Sequence, residues 1–233
     1  MARDDGVREP PPSRLWSRVL GSVAFRLFCF AVMNVLAVWV EARPAPSLPD
    51  ALVSRIPYAA TVDRYNYLIW ALAYLPVAFL LLARDPRRFV RYNIAAGLLA
   101  ILRGLCIAAT GLGPVHGMDL HAGMSPHQRL SAFVALISLN HWGSAPFGLT
   151  KDLFFSGHTS TTFLLLLYVW RDRLLRKWAL VGHVLVVATV FFAHLHYTID
   201  VLGAYAVTLA LFAVLEADWR PALASVRSAG QIP

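Results

Sequence analysis

Two short polar clusters in the C-terminal half of the sequence carry side chains that could perform phosphoryl transfer. Residues 156–159 read Ser-Gly-His-Thr and residues 196–200 read His-Tyr-Thr-Ile-Asp, and each cluster lies at one end of a long apolar stretch. Histidines and carboxylates at such positions are costly and mark functional sites. If the apolar stretches cross a bilayer, both clusters emerge on the same side, where they could supply a nucleophile and a general acid.

The second cluster contains a histidine and a carboxylate at helical spacing. His196 and Asp200 are four residues apart at the start of an expected helix, so they share one face with Cβ atoms about 5–6 Å apart. Asp200 could fix the tautomer of His196 and leave the other ring nitrogen free to attack a substrate. The alternative is an aspartate that caps the helix beside an interfacial histidine. The pair alone does not decide between them.

The first cluster adds His158 beside a glycine at the start of another expected helix. Gly157 lets the backbone approach a ligand closely, and backbone N–H groups at a helix start favour an anion such as phosphate. Ser156 and Thr159 could donate hydrogen bonds to a ligand or simply cap the helix. Combined with His196 and Asp200, this cluster indicates a catalytic role for His158.

Arg103 lies in the middle of the third apolar stretch. An intramembrane arginine costs about 2.5–3.5 kcal/mol or more, so we expect its side chain to face the interior of a helix bundle. It could pair with Asp200, hold a substrate phosphate or form a structural ion pair. Arg26, in the first stretch, is expected to extend its side chain towards the cytoplasmic side.

A metal site is the alternative use for the histidines of the long connection 113–153. That connection and its end contain four histidines and two aspartates: His116, Asp119, His121, His127, His141 and Asp152. Their spacing fits no compact ligand motif, so the sequence predicts no metal ion and no other cofactor. His183, inside the fifth apolar stretch, is interpreted as a packed side chain.

The composition is that of an integral membrane protein. Hydrophobic residues make up 58% of the 233 positions and charged residues only 15%, against about 45–50% and 25% in soluble domains. The formal charge of +8 is dispersed in short clusters between apolar runs. Such clusters are typical of cytoplasmic loops, so the charge does not indicate a nucleic-acid partner. The length leaves room for one compact domain.

The hydropathy pattern predicts an all-α membrane protein, a bundle of six transmembrane helices. A spanning helix needs about 20 apolar residues, and the qualifying stretches are Val19–Val40, Tyr67–Ala83, Ile94–Leu112, Phe154–Trp170, Trp178–Ala193 and Ile199–Leu215. The run 130–139 is too short to cross and is expected at the interface or folded back. A catalytic domain at 18–217 is thus expected between tails at 1–17 and 218–233.

Most of the basic residues lie in segments on one side of these spans, including both tails. By the positive-inside rule both termini are cytoplasmic, and the connections 41–66 and 113–153 face the periplasm, lumen or cell exterior. His158 and the 196–200 cluster then both lie on the exoplasmic face. The predicted orientation rests on the basic residues and not on either cluster, so the location of both clusters on one side supports it independently.

At these residues the sequence resembles the sphingomyelin synthase family, a branch of the type 2 phosphatidic acid phosphatase superfamily. Residues 152–159 resemble the family's third signature segment, and residues 193–205 resemble the fourth. Weaker echoes of the second segment are Arg87-Arg88-Phe89 and Arg103 with Cys106-Ile107. Ser47-Leu48-Pro49-Asp50 resembles the end of the first.

The resemblance implies six spans with cytosolic termini and a catalytic triad of His158, His196 and Asp200 on the exoplasmic face. It implies that a phospho-headgroup moves from a glycerophospholipid to a lipid alcohol such as ceramide or diacylglycerol, through a histidine-linked intermediate and without a cofactor. We expect Arg103 or Arg129 to steady the phosphoryl oxygens. The predicted substrate-binding residues are Ser156, Gly157, Thr159, Arg103, Asp152 and Tyr197.

Departures from the family pattern concern the headgroup and the acceptor. Thr150-Lys151 stands where Cys-Gly often opens the third segment, and Leu195 replaces a frequent acidic residue. Val190 occupies the position of an arginine that grips phosphomonoesters in the parent superfamily, which favours a phosphodiester donor.

Three alternatives remain open from the sequence. A lipid phosphatase or phospholipase C-like hydrolase would use the same triad with water as acceptor. A transporter or scaffold would leave the triad without a catalytic role. A metal enzyme would be built on the outer histidines instead. Arginine greatly outnumbers lysine, which slightly favours a bacterial inner membrane.

Overall fold

The computed structural model describes residues 12–119, 121–137 and 149–217, and all its regular elements are helices. A 3₁₀ turn, Val53–Arg55, precedes the short α2. The α-helices are α1 (Pro12–Glu41), α2 (Ala60–Arg64), α3 (Asn66–Arg84), α4 (Pro86–Ala109), α5 (Pro126–Ile137), α6 (Gly157–Val169), α7 (Arg173–Phe192) and α8 (Thr198–Glu216).

Five of these helices are long and apolar enough to cross a membrane: α1, α3, α4, α7 and α8. With 19 to 28 residues each and a rise of 1.5 Å per residue, they extend about 28 to 42 Å, close to or beyond the thickness of a hydrocarbon core of about 30 Å. The predicted all-α multi-pass membrane protein is confirmed at this level. The tail predicted at 218–233 lies outside the described residues, as does most of the tail at 1–17.

The fourth predicted span, 154–170, is helical only over the 13 residues of α6. A helix of that length rises about 20 Å and does not cross a bilayer core alone. Phe154 has a positive φ of 54°, and Ser156 is the N-cap, so the first turn of the predicted helix is replaced by a loop. α6 packs against α3, α4, α7 and α8 and lies at the centre of the bundle. Six spans and the orientation of the termini stay predictions.

α1 and α4 run side by side in the same direction and make the largest helix–helix contact of the fold. Glycines on α4 permit the approach, as small residues do between membrane helices. A Cβ at Gly97 would meet the Phe25 ring at 2.7 Å, and one at Gly104 would meet Cα of Met33 at 3.2 Å. This packing brings the middle of α4, including Arg103, against α1.

Arg26 differs from its sequence prediction, because α1 presents it to the interior of the bundle. Its Nη1 donates to Oδ1 of Asn93 at 3.3 Å, and its guanidinium lies over the rings of Tyr74 and Tyr92 at 5.6 and 5.3 Å. The parallel contact with α4 supplies these partners, so the side chain does not extend to the bundle end.

The end of the bundle far from the polar clusters is closed by capped turns. Asp85 caps α4 by accepting from the Arg88 amide at 2.9 Å, with Pro86 at the first helical position. Asp172 caps α7 and pairs with Arg84 at 2.7 Å. These contacts bring the end of α3 level with the α6–α7 turn.

Candidate active site

His196, in the turn between α7 and α8, lies beside Asp200 in the first turn of α8, so the two do not share one helix face as their spacing predicted. The His196 Nδ1 and Asp200 Oδ2 atoms are 3.3 Å apart, and the two residues are 3% and 0% exposed. The Tyr197 amide donates to the same Oδ2 at 3.0 Å, and the Phe154 amide donates to Oδ1 at 3.2 Å. With Nδ1 directed to the carboxylate, Nε2 is the ring nitrogen left for a substrate.

Asp200 also fixes the loop that leads into α6. Its carbonyl accepts from the Ser156 amide at 3.1 Å, and the Ser156 hydroxyl accepts from the Thr159 amide at 3.3 Å as the N-cap of α6. Ser156 therefore caps α6, which is one of the two roles that the sequence allowed for it. The two polar clusters are joined by hydrogen bonds, and His158 lies in the first turn of α6.

His158 carries a ring nitrogen without a partner. Its Nε2 is buried and makes no hydrogen bond to any described residue, and the hydroxyl of Thr159 is in the same condition. His158 is close enough to His196, Asp152 and Arg103 to interact with them electrostatically. A buried polar atom left unsatisfied costs about 1–3 kcal/mol. Such an atom beside a second histidine indicates a position that a ligand fills.

Two aromatic residues of α3 form a wall beside His158. The ring centroids of Tyr67 and Trp70 lie 5.3 and 6.4 Å from that of the imidazole. The Trp70 indole donates to the Thr161 hydroxyl at 3.1 Å, which fixes α3 against α6. In the sequence Tyr67 marks only the start of a predicted span, because a contact between distant helices leaves no local pattern.

Arg103 forms a structural fork under the loop before α6. Its Nε donates to the Phe155 carbonyl at 2.8 Å, and its Nη2 donates to the carbonyl and the carboxylate of Asp152, both at 2.7 Å. The ion-pair partner of Arg103 is therefore Asp152 and not Asp200. A Cβ at Gly157 would lie 3.1 Å from the guanidinium carbon, so glycine permits this approach. Among the described residues, Nη1 has only the weak acceptor Sδ of Met33, at 3.3 Å.

Tyr197 and the loop 47–50 hold the start of α8. The Tyr197 hydroxyl donates to the Gly113 carbonyl at 3.0 Å and accepts from the Leu48 amide at 2.9 Å. Asp50 accepts from the amide and the hydroxyl of Thr198 at 2.6 and 2.9 Å. Burial raises the pKa of Asp50, but hydrogen bonds from Thr198 and the Val53 amide outweigh it, and the pKa is lowered. Substrate binding by Tyr197 stays a prediction.

Buried Glu41, at the end of α1, is a residue that sequence reasoning missed. Its carboxylate accepts from the Thr150 amide and hydroxyl at 2.9 and 2.6 Å, from the Lys151 amide at 2.9 Å and from His121 Nδ1 at 2.7 Å. The only signal in the sequence is an acidic residue at the end of an apolar stretch. This carboxylate ties residues 149–152, which lead into the site, to the end of α1.

Lys151, one of the departures from the family pattern, is an anchor within the same network. It is 1% exposed, and its Nζ contacts Asp119 at 2.6 Å and the Arg43 carbonyl at 2.7 Å. Burial raises the pKa of Asp119, but Lys151 more than compensates, and the pKa is lowered. The Lys151 ammonium is therefore engaged by protein groups.

The outer histidines are dispersed over separate environments. His116 stacks on Tyr58 at 4.1 Å and His121 pairs with Glu41, whereas His141 lies outside the described residues. Within the described ranges no three His, Cys, Asp or Glu side chains are grouped to hold a metal ion.

The two remaining side chains of interest make contacts within the protein. His183 is packed between the Thr162 and Tyr205 hydroxyls, each at 2.8 Å. Arg129 donates to the Met124 carbonyl at 3.2 Å.

Fold and site together define a class: a helical membrane protein in which a buried His–Asp pair faces a second histidine at one end of the bundle. Comparison with known proteins agrees with this class. Residues 151–217, which contain all three side chains, match the PAP2 superfamily C-terminal family.

Curated relatives extend the similarity to most of the chain. Phosphatidylcholine:ceramide cholinephosphotransferase 1 of Homo sapiens is 27% identical over 223 residues, 84% of this chain and 52% of that protein. The Gallus gallus protein of the same name is 28% identical over 234 residues, 87% and 54% of the two chains. The chain thus spans about half the length of these relatives. The match over residues 151–217 and the distant similarity to these relatives over most of the chain confirm the resemblance.

Proposed function

We propose that the protein is a membrane phosphotransferase that moves a phospho-headgroup from a glycerophospholipid to a lipid alcohol such as ceramide. The observation that carries the proposal is the buried His196–Asp200 pair beside His158, whose Nε2 has no partner among the described residues. The relatives, named for phosphatidylcholine and ceramide, support the same substrate class.

In the first step Nε2 of His196 attacks the phosphorus of the donor phospholipid. A P–N bond forms, the P–O bond to the diacylglycerol oxygen breaks, and protonated His158 donates its proton to that oxygen. Asp200 accepts the hydrogen bond from Nδ1–H and stabilises the charge that develops on the His196 ring. Diacylglycerol leaves, and the headgroup phosphate remains on His196.

In the second step neutral His158 removes the proton from the acceptor hydroxyl. The acceptor oxygen attacks the phosphorus, the P–N bond to His196 breaks, and His158 is again protonated for the next cycle. The proton therefore returns to the same ring, and no external base is needed. Water in place of the lipid alcohol would make the protein a phospholipase C-like hydrolase with identical residues.

The start of α6 supplies stabilisation for the phosphoryl oxygens. The Gly157 and His158 amides lie in its first turn, where the helix dipole and free N–H groups favour negative charge. Nη1 of Arg103 has only the Met33 sulfur as acceptor in the described part of the chain and could turn to a phosphoryl oxygen. Such preorganised donors act on charge in the transition state.

The charge balance around the site favours a phosphodiester donor. Arg103 is paired with Asp152 and Lys151 with Asp119, so neither cation is available in full for a phosphomonoester dianion. A diester carries one negative charge and requires less compensation. We extend the proposal to six spans with cytoplasmic termini and an exoplasmic site, in which α6 supplies the fourth span together with the loop before it.

A transfer assay on purified protein in vesicles tests the function. Labelled ceramide is supplied with phosphatidylcholine and phosphatidylethanolamine, and products are identified by mass spectrometry for the wild type, His196→Ala and the control His127→Ala, an exposed outer histidine. We expect a phosphoceramide from wild type and control, and none from His196→Ala. Diacylglycerol without phosphoceramide would indicate hydrolysis or another acceptor, and near-normal activity of His196→Ala would refute the mechanism.

A further inference from the structure

An open groove lies between α1 and α4 near the start of both helices, far along each helix from the candidate active site. Its volume is about 460 Å³, and its lining residues are Arg18, Gly21, Ser22, Phe25, Val90 and Ile94. Because α1 and α4 run parallel, the groove is at the end where both begin. Arg103, which contacts the site loop, lies more than two helical turns further along α4.

The wall of this α1–α4 groove offers nothing to a polar ligand. The Ser22 hydroxyl donates to the Val19 carbonyl of its own helix at 2.8 Å, and Gly21 has open space where a side chain would be. Phe25 is 38% exposed. Both helices are candidate membrane spans, so the groove opens onto lipid hydrocarbon. Its mostly apolar lining is suited to an acyl chain.

The end of the groove carries a cation without a counter-ion. Arg18 is exposed and has no acidic partner in the described part of the chain, and exposed Arg14 lies one helical turn before it. Neighbouring Arg91 pairs with Glu216 at 3.4 Å, so the arginines beside this groove that lack an acidic partner among the described residues are those of α1. An arginine pair at the membrane edge beside an apolar groove matches a phosphate attached to a hydrocarbon chain.

We propose that the α1–α4 groove binds one phospholipid with an anionic headgroup, its phosphate at Arg18 and an acyl chain along Gly21, Phe25 and Ile94. This lipid is a bound component of the bilayer rather than a substrate, because the groove begins at the opposite end of the bundle from His158. The proposal does not depend on the proposed reaction. It predicts a lipid preference that headgroup transfer alone would not produce.

Native mass spectrometry of the full chain in detergent tests the site. The protein is titrated with phosphatidylglycerol or phosphatidylcholine, and bound lipid is counted for the wild type, Arg18→Gln and Gly21→Leu. Arg173→Gln, which removes an exposed arginine at the same end on α7, is the matched control. One phosphate contact near a membrane contributes about 1 kcal/mol, equivalent to roughly fivefold in affinity.

The expected result is one phosphatidylglycerol bound in preference to phosphatidylcholine, with affinity about fivefold lower in Arg18→Gln and unchanged in Arg173→Gln. Gly21→Leu should weaken both lipids by filling the groove. Equal binding of the two lipids, or equal losses in Arg18→Gln and Arg173→Gln, would overturn the proposal in favour of non-specific attraction to a basic edge. Circular dichroism and elution volume of each variant report that it is folded.

Discussion

Asp200 has two functions that one substitution can separate. Its carboxylate orients His196 and at the same time accepts from the Phe154 and Tyr197 amides. A carboxylate fully removed from solvent persists only where several donors compensate for its burial, and here those donors come from both polar clusters. The Asp200 carboxylate thus positions the proposed nucleophile and also joins α6 to α8.

We predict that Asp200→Asn lowers transfer activity by about 100-fold or more while the helical fold persists. An asparagine oxygen can still accept one amide, but it cannot stabilise a charged His196 ring, whose contribution to general acid–base and nucleophilic catalysis is of this order. The measurement is the rate of phosphoceramide formation beside circular dichroism, with His127→Ala as control. Activity within threefold of wild type would contradict the role of Asp200.

Arg103 is predicted to be irreplaceable by lysine. The guanidinium donates to the Phe155 carbonyl and to Asp152 at once, which a single ammonium cannot reproduce. Arg103→Lys should lower the free energy of unfolding by about 1–3 kcal/mol and reduce activity. Thermal unfolding in detergent measures this, with the exposed Arg173→Lys as control. Equal stabilities for the two variants would show that the fork is dispensable.

At the scale of elements, the site is held by loops rather than by the helices alone. The loop 47–50 binds the start of α8 through Asp50, and the segment 149–152 binds the end of α1 through Glu41. The three side chains of the proposed triad come from α6, the α7–α8 turn and the first turn of α8. Their relative geometry therefore depends on connections that sequence patterns treat as linkers.

Asp50 makes stability depend on pH. Its pKa is lowered in the folded state, so its contribution to stability is complete above the unfolded value near 3.9 and is lost as pH falls through the folded pKa. We predict that Asp50→Asn destabilises the protein at pH 7 and that the difference from wild type narrows below about pH 4. Thermal unfolding at both pH values measures it. A difference that stays constant with pH would refute this assignment.

Glu41→Gln is predicted to destabilise the segment that leads into the site. The carboxylate accepts four hydrogen bonds, including one from Thr150 and one from His121, and bonds to a charged group contribute about 1.5–3 kcal/mol each. We expect faster hydrogen exchange at 149–152 and a loss of about 2 kcal/mol or more in unfolding free energy. Unchanged exchange in that segment would contradict the anchoring role.

At the scale of the whole molecule, the orientation in the membrane is open to a direct test. We predict that a cysteine at Ser125 reacts with an impermeant maleimide from the exoplasmic side, whereas one at Arg173 reacts only after the membrane is permeabilised. Both positions are exposed, and the background is made free of Cys29 and Cys106. Labelling of Arg173→Cys in sealed vesicles or cells would reverse the proposed topology.

The features of this molecule that could be predicted from the sequence are those that local patterns encode. The sequence placed His196 near Asp200, but His196 precedes α8, so their contact comes from the turn before the N-cap Tyr197 and not from one helix face. Five long helices follow from apolar length. The contact of Glu41 with Thr150 joins residues 109 positions apart, and no local pattern reports it.

The start of α6 could not be predicted for a related reason. Phe154 and Phe155 continue the apolar run, and the helix begins later because the Phe154 and Ser156 amides bond to Asp200. A tertiary contact thus overrides a hydropathy pattern. Arg103 was predicted to face inward correctly, but its partner depended on the same loop.

The shortness of α6 sets the depth at which chemistry would take place. Its far end is level with the closed turns at Arg84 and Asp172, and at about 20 Å it stops roughly 10 Å short of a hydrocarbon core of about 30 Å. If those turns mark one edge of the hydrocarbon core, the imidazole of His158 lies below the opposite membrane surface. A lipid hydroxyl already resides near that depth and reaches the imidazole by lateral diffusion, whereas a water-soluble alcohol would have to leave the aqueous phase. A site at this depth would select acceptor alcohols by their solubility in the bilayer, before any side chain of the protein contacts them.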